Sequence, residues 1–166
     1  SLITSFLLTT ILVKYGISIF KKFKLNQIIR DDGPKEHLNK LGTPTMGGIF
    51  IIPIGILVGN MFSLNLANYD QLFNISLLTF GYMIIGSIDD FKSLFNKKST
   101  GLNAKSKLIL QIIIGSIFVK WGLSQNLITT DVALFHKVSF SIGYLIWPLS
   151  IFVLLAESNA SNLTDG

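Results

Sequence analysis

Five apolar runs alternate with polar segments along the chain: residues 2–20, 47–66, 72–88, 108–122 and 142–156. A helix needs about 20 apolar residues to cross a bilayer, within a range of about 17–25. The first three runs fit as they stand, and the last two are short unless their flanks join them. Asn103 is a candidate N-cap for the fourth, which would start that helix near Ala104 and add a turn. Pro53 and Pro148 fall inside runs, a position that membrane helices tolerate better than soluble ones. Between the fourth and fifth runs, residues 128–135 and 137–142 are short, β-branched and aromatic, with a turn near His136, and they predict a small hairpin. The pattern predicts an all-α polytopic membrane protein of about five transmembrane helices. One extracytoplasmic β-hairpin lies between the fourth and fifth, and residues 1–166 form a single integral-membrane domain.

Composition supports the same class. The chain is 49% hydrophobic and only 14% charged, with a mean hydropathy of +0.57, too apolar for an ordinary soluble domain. There is no cysteine, which excludes disulfides and thiolate metal sites. The first apolar run has no basic segment before it and no small-residue cleavage site, so it does not read as a cleavable signal. The chain starts at Ser1 and stops at Gly166 inside a polar motif, which reads as the N-terminal fragment of a longer protein.

The charge distribution sets an orientation. Lys21, Lys22, Lys24, Arg30, Lys35 and Lys40 follow the first run, and Lys92, Lys97, Lys98, Lys105 and Lys107 follow the third. With alternating spans these two loops share one side, which the positive-inside rule makes cytoplasmic. Lys120 and Lys137 lie on the other side, and Lys14 within the first span.

Candidate chemistry gathers on the cytoplasmic side. The third run ends in Asp89-Asp90, and paired acids at a membrane boundary are costly unless they hold a cation or a proton. Neighbouring helical residues diverge by about 100°, so one carboxylate could face a metal and phosphates while the other faces a substrate proton. The alternative is a solvated pair that marks the end of a span. In the first basic loop, Thr43-Pro44 reads as a helix start, a hydroxyl N-cap followed by proline at the first helical position. Free amides there favour a phosphate, with Lys35, Lys40 and His37 at hand. Near the end of the chain, Asn159, Asn162 and Asp165 are spaced by three and on one helix would share a face. A capped helix end is the competing reading. Glu157 has no assignment.

The run at residues 33–48 with Thr43-Pro44-Thr45-Met46-Gly47-Gly48, the Ile88-Asp89-Asp90-Phe91 boundary, residues 101–107, and Asn159-Ala160-Ser161-Asn162-Leu163-Thr164-Asp165-Gly166 occur in one order and spacing. Together they resemble the phospho-N-acetylmuramoyl-pentapeptide transferase (MraY) family of polyprenyl-phosphate sugar-1-phosphate transferases, nearly end to end. The resemblance implies a membrane enzyme of about ten helices. It would transfer phospho-MurNAc-pentapeptide from UDP-MurNAc-pentapeptide to undecaprenyl phosphate, giving lipid I and UMP, with Mg²⁺ required. It implies Asp89, Asp90 and Asp165 as catalytic and metal-binding residues. It implies Lys35, His37, Lys40, Thr45, Lys105, Lys107, Asn159 and Asn162 as substrate-binding residues. Beyond the two substrates, the expected partners are the bilayer and a second copy of the chain as a homodimer, with no nucleic acid. Ala156-Glu157 stands where the family usually has Gly-Thr, a departure expected to alter packing only. The family's further metal-binding aspartate and histidine-rich loop belong to its second half, so residues 1–166 alone are expected to be inactive. The competing readings are a sister enzyme that moves N-acetylglucosamine-1-phosphate to a polyprenyl phosphate, and a transporter segment with Lys14, Asp89 and Asp90 lining an ion path.

Overall fold

A computed structural model describes residues 2–22, 46–96, 101–135 and 138–165. Among them are five α-helices: α1 (Leu2–Lys22), α2 (Gly48–Ser63), α3 (Tyr69–Asn96), α4 (Ala104–Ser124) and α5 (Ile146–Asp165). Strands β1 (Asp131–Phe135) and β2 (Val138–Ser141) form an antiparallel hairpin between α4 and α5, and a 3₁₀ turn at Gly143–Leu145 leads into α5. The helices and the hairpin stand where hydropathy predicted them; His136 lies outside the described residues. Four helical segments are long and apolar enough to cross a membrane, while α2 has 16 residues.

Each helix packs on the next in sequence. Small residues set how close they come: the Phe50 ring of α2 lies over Gly16 of α1, and Ile114 of α4 occupies the space that a side chain on Gly81 of α3 would fill. Such close approach is how helices gain van der Waals energy in lipid, where the hydrophobic effect does not drive them together. Few apolar side chains are buried, Val119, Ile85 and Val58 among them, and the outer surface of α1 is apolar from Leu2 to Ile19. That is the surface of a chain solvated by lipid.

Helix ends follow local chemistry. Asn103 caps α4 as its side chain predicts, Oδ1 accepting from the Ser106 amide at 2.7 Å. At the other end Asn126 adopts a left-handed conformation (φ 54°), and the Leu127 amide donates back to the Gly122 carbonyl at 2.8 Å, a common way to close a helix. Pro148 falls in the first turn of α5, where its missing N–H costs no helical bond.

Two expectations are corrected. A helix running from Pro44 into α2 does not form: Met46 is buried with φ 69°, outside the right-handed helical region, and α2 begins only at Gly48. Thr43 and Pro44 themselves lie outside the described residues. The third helix does not end with its apolar run at Ile88 but continues to Asn96. Phe91 and Phe95, one turn apart, stack at 6.5 Å and carry the helix onward.

Candidate functional site

Because α3 runs past them, Asp89 and Asp90 are helical residues that project to different neighbours. Asp89 faces α4. Its Oδ1 accepts from the Leu102 amide at 2.6 Å, and its Oδ2 pairs with Lys107 Nζ at 3.1 Å. Both side chains are mostly buried, with 23% and 17% of their surface exposed, so the pair is only partly screened. Gly101 makes the approach possible, since a methyl group there would collide with the Asp89 side chain and carbonyl oxygen. Asp89 therefore docks the segment 101–107 against the end of α3.

Asp90 lines a cleft of about 1070 Å³ between α2, α3 and α5. One wall is Met46, Gly48, Ile49 and Ile52; the polar end is formed by Ser87, Asp90, Glu157, Ser158, Ser161 and Asn162. The apolar end reaches Leu78 and Thr79 of α3, about 16 Å along the helix from Asp90 at about 1.5 Å per residue. The cleft thus runs from mainly apolar walls, interrupted by the Thr79 and Tyr82 hydroxyls, to an end with two carboxylates, an amide and hydroxyls. A phosphate carried on an apolar chain suits that gradient.

The predicted site residues do not all come together. Asp90 and Asn162 come together at the cleft, as expected from their shared side of the membrane. Asn159 shares α5 with Asn162 but turns to α4, donating to Gln111 Oε1 at 3.0 Å and to the Leu155 carbonyl at 2.8 Å. Lys107 is paired with Asp89, while Lys105 in the same turn is exposed. Asp165 is the last residue of α5. Lys35, His37, Lys40 and Thr45 lie outside the described residues. Sequence reasoning did not assign Glu157, Ser87 or Gly101; the signal for Glu157 was its place on one helix face with Leu154 and Ser161, at spacings of three and four.

For Mg²⁺, the donor chemistry of the cleft fits. Asp90, Glu157 and Asn162 offer hard oxygen donors, and Mg²⁺ usually binds one or two carboxylates together with water and substrate phosphates. Among the described residues, no cluster of three or more His, Cys, Asp or Glu forms a metal cage.

Comparison with known proteins gives the same direction. Residues 72–166 match the model of glycosyl transferase family 4, and residues 40–52 match signature 1 of phospho-N-acetylmuramoyl-pentapeptide-transferase. The chain is 46% identical over 166 residues to the phospho-N-acetylmuramoyl-pentapeptide-transferase of Prochlorococcus marinus (strain SARG), covering 99% of this chain and 45% of that protein. It is 52% identical over 160 residues to the protein of the same name from strain NATL2A, covering 96% and 43%. The protein of that name from Microcystis aeruginosa is 41% identical over 165 residues, covering 96% and 45%. The chain spans less than half the length of these relatives.

Proposed function

The chain belongs to the phospho-N-acetylmuramoyl-pentapeptide transferase (MraY) family of glycosyl transferase family 4, and from that premise we propose that the full-length protein transfers phospho-MurNAc-pentapeptide from its UDP carrier to undecaprenyl phosphate. The observation that carries the reading is the cleft itself, graded from apolar to acidic along α3, with Asp90 and Asn162 at its mouth. The mouth faces the cytoplasm, on the side of the lysine-rich loops, where a nucleotide sugar would arrive. The polyprenyl tail lies in hydrocarbon and its phosphate at the headgroup level, so reacting groups belong at that level, which Asp90 occupies about 9 Å before α3 ends.

A phosphate monoester has its second ionisation near pH 6, so the carrier phosphate is largely dianionic at neutral pH and needs little help from a base. Its oxygen forms a bond to the β-phosphorus of the nucleotide sugar. The bond from that phosphorus to the bridging oxygen breaks, and the oxygen leaves on UMP. The difficulty is negative charge, since both reactants are anions. Asp90, Glu157 and Asn162, the oxygen donors of the cleft, are the residues that would hold Mg²⁺. When bound, the ion offsets the charge of the transferred phosphoryl group. Lys105, exposed at the start of α4, adds positive charge to the same side. Asp89 takes no place in the cleft; it fixes the α4 start from which Lys105 projects.

The test uses membranes that carry the full-length protein. UMP release is followed with Mg²⁺ and undecaprenyl phosphate, comparing UDP-MurNAc-pentapeptide with UDP-GlcNAc. Release with the muramoyl donor alone, abolished by a chelator, is the expected result. Release only with UDP-GlcNAc would assign the sister reaction. No release with either donor from folded protein would sink the transferase reading.

A further inference from the structure

Gln111 is the most deeply buried polar side chain of α4, at 3% exposure, about 10 Å along the helix from Ala104. It lies within a span, where an unsatisfied amide costs several kcal/mol because no water is available to it. The amide is satisfied from both ends by α5: Nε2 donates to Ser158 Oγ at 3.2 Å, and Oε1 accepts from Asn159 Nδ2 at 3.0 Å. The buried face of α4 on which it lies continues through Gly115, Val119 and Gly122. One turn on, Leu154 of α5 packs over Gly115, where an added methyl would lie 3.4 Å from Leu154 Cδ1. Gly115 provides a smooth surface that allows α5 to slide or turn. Gln111 provides the one polar key among these four residues, and it fits in a single register.

We propose that Gln111 is a positioning residue that sets the rotation and height of α5, and so places Asn162 opposite Asp90 in the cleft. The inference rests on reading the cleft as the reaction site. The partners of the amide are adjacent residues with different duties. Ser158 also lines the cleft, whereas Asn159 turns into the bundle. Asn159 spends both amide hydrogens on Gln111 and on the Leu155 carbonyl, which makes it the second half of the key. Asn162 lies three residues on, about 4.5 Å higher along the axis, so a slip or turn of α5 at Gln111 carries it out of the cleft. The role parallels that of a buried polar residue that fixes register in a coiled coil.

The test is made on the full-length protein in nanodiscs, with spin labels at Lys92→Cys and Leu163→Cys. Both positions are exposed, near the ends of α3 and α5 and outside the cleft lining, and this chain has no cysteine of its own. The parent is expected to give one narrow label-to-label distance. Gln111→Leu broadens or shifts it and lowers kcat per folded molecule at least tenfold. Exchanging the two amides, Gln111→Asn with Asn159→Gln, keeps a pair of the same combined length and restores the narrow distance. An unchanged distance in Gln111→Leu overturns the proposal, as does a purely structural pattern in which folded yield falls while kcat per folded molecule is unchanged. Should Gln111→Leu fail to fold, the exchanged pair decides: a narrow distance supports the key and a broad one overturns it. The distance is read without substrate, so failure of the transferase assignment would show in UMP release and leave the distance result standing.

Discussion

The two sides of the end of α3 carry adjacent carboxylates in opposite settings. Toward α4, Asp89 is in a tight corner, one oxygen on a backbone amide and the other on Lys107, with Gly101 pressed against it. Toward α2 and α5, Asp90 lines an open cleft of about 1070 Å³. A rotation of about 100° between neighbours is enough to turn one acid to α4 and the other to the cleft between α2, α3 and α5. An Asp-Asp pair in sequence is therefore two different devices, and the partners across the bundle tell them apart.

The largest expected effect tests the open side. Asp90→Asn keeps size and helix propensity and removes the charge; UMP release by the full-length enzyme should fall by about 10²-fold or more, with the folded yield of the protein unchanged. Equal loss of folded protein and of activity would move Asp90 to the structural side of the comparison. The next effect tests the tight side without touching any charge. Gly101→Ala puts a methyl into space held by Asp89, so the α4 start must shift. A displacement of about 1 Å at a site that positions reactants costs up to about 10²-fold in rate. Reduced kcat from a residue outside the cleft would show that the corner positions the machinery, and wild-type kinetics would show that it does not.

How much of this was legible in sequence depends on the range of the interaction. Hydropathy located the helices because each apolar run must find lipid or protein within its own length. Asn103 was readable as a cap because its partner, the Ser106 amide, is three residues away. The continuation of α3 past Ile88 was missed because the hydropathy changes there while the helical hydrogen bonding does not; Phe91 and Phe95 at i and i+4 were the available sign. Thr43-Pro44 resembled a helix start, but Met46 in a left-handed conformation separates it from α2, and no local propensity announces that. The corner at Asp89 and the key at Gln111 join residues far apart in the chain, and in sequence each is only a polar residue in or beside an apolar run. Gln111 had one trace, its spacing of four from Gly115 on a face otherwise small and apolar. Convergence of Asp90 with Asn162 was legible only as a shared side of the membrane.

Lys107 and Lys105 sharpen the same contrast on one turn of α4. Lys107→Met retains the stem but leaves Asp89 Oδ2 without its ammonium in a mostly buried position, which should destabilise the protein by about 1–3 kcal/mol. Thermal unfolding in nanodiscs checks it. Lys105→Met, at an exposed position, should leave unfolding unchanged and raise KM for the nucleotide sugar. If both variants altered only KM, Lys107 would belong with the ligand and the corner would lose its structural role.

The smallest effect concerns whether the corner needs its helix start fixed independently. Asn103 holds the first turn of α4 through the Ser106 amide, while Asp89 holds the preceding Leu102 amide, so two hydrogen bonds from different sources define one helix end. Asn103→Ala removes an N-cap and should cost about 1 kcal/mol, Asn103→Gly only a few tenths. Since Asp89 and Lys107 still bracket the turn, kcat should hardly move in either variant. The informative case is the cap removed together with Lys107→Met. If the cap and the ion pair fix the same turn, the losses in the double variant exceed the sum of the two single ones, as expected for residues that share a structural element. Simple additivity in unfolding would mean that the Asn103 cap and the Asp89–Lys107 pair secure the start of α4 independently of one another.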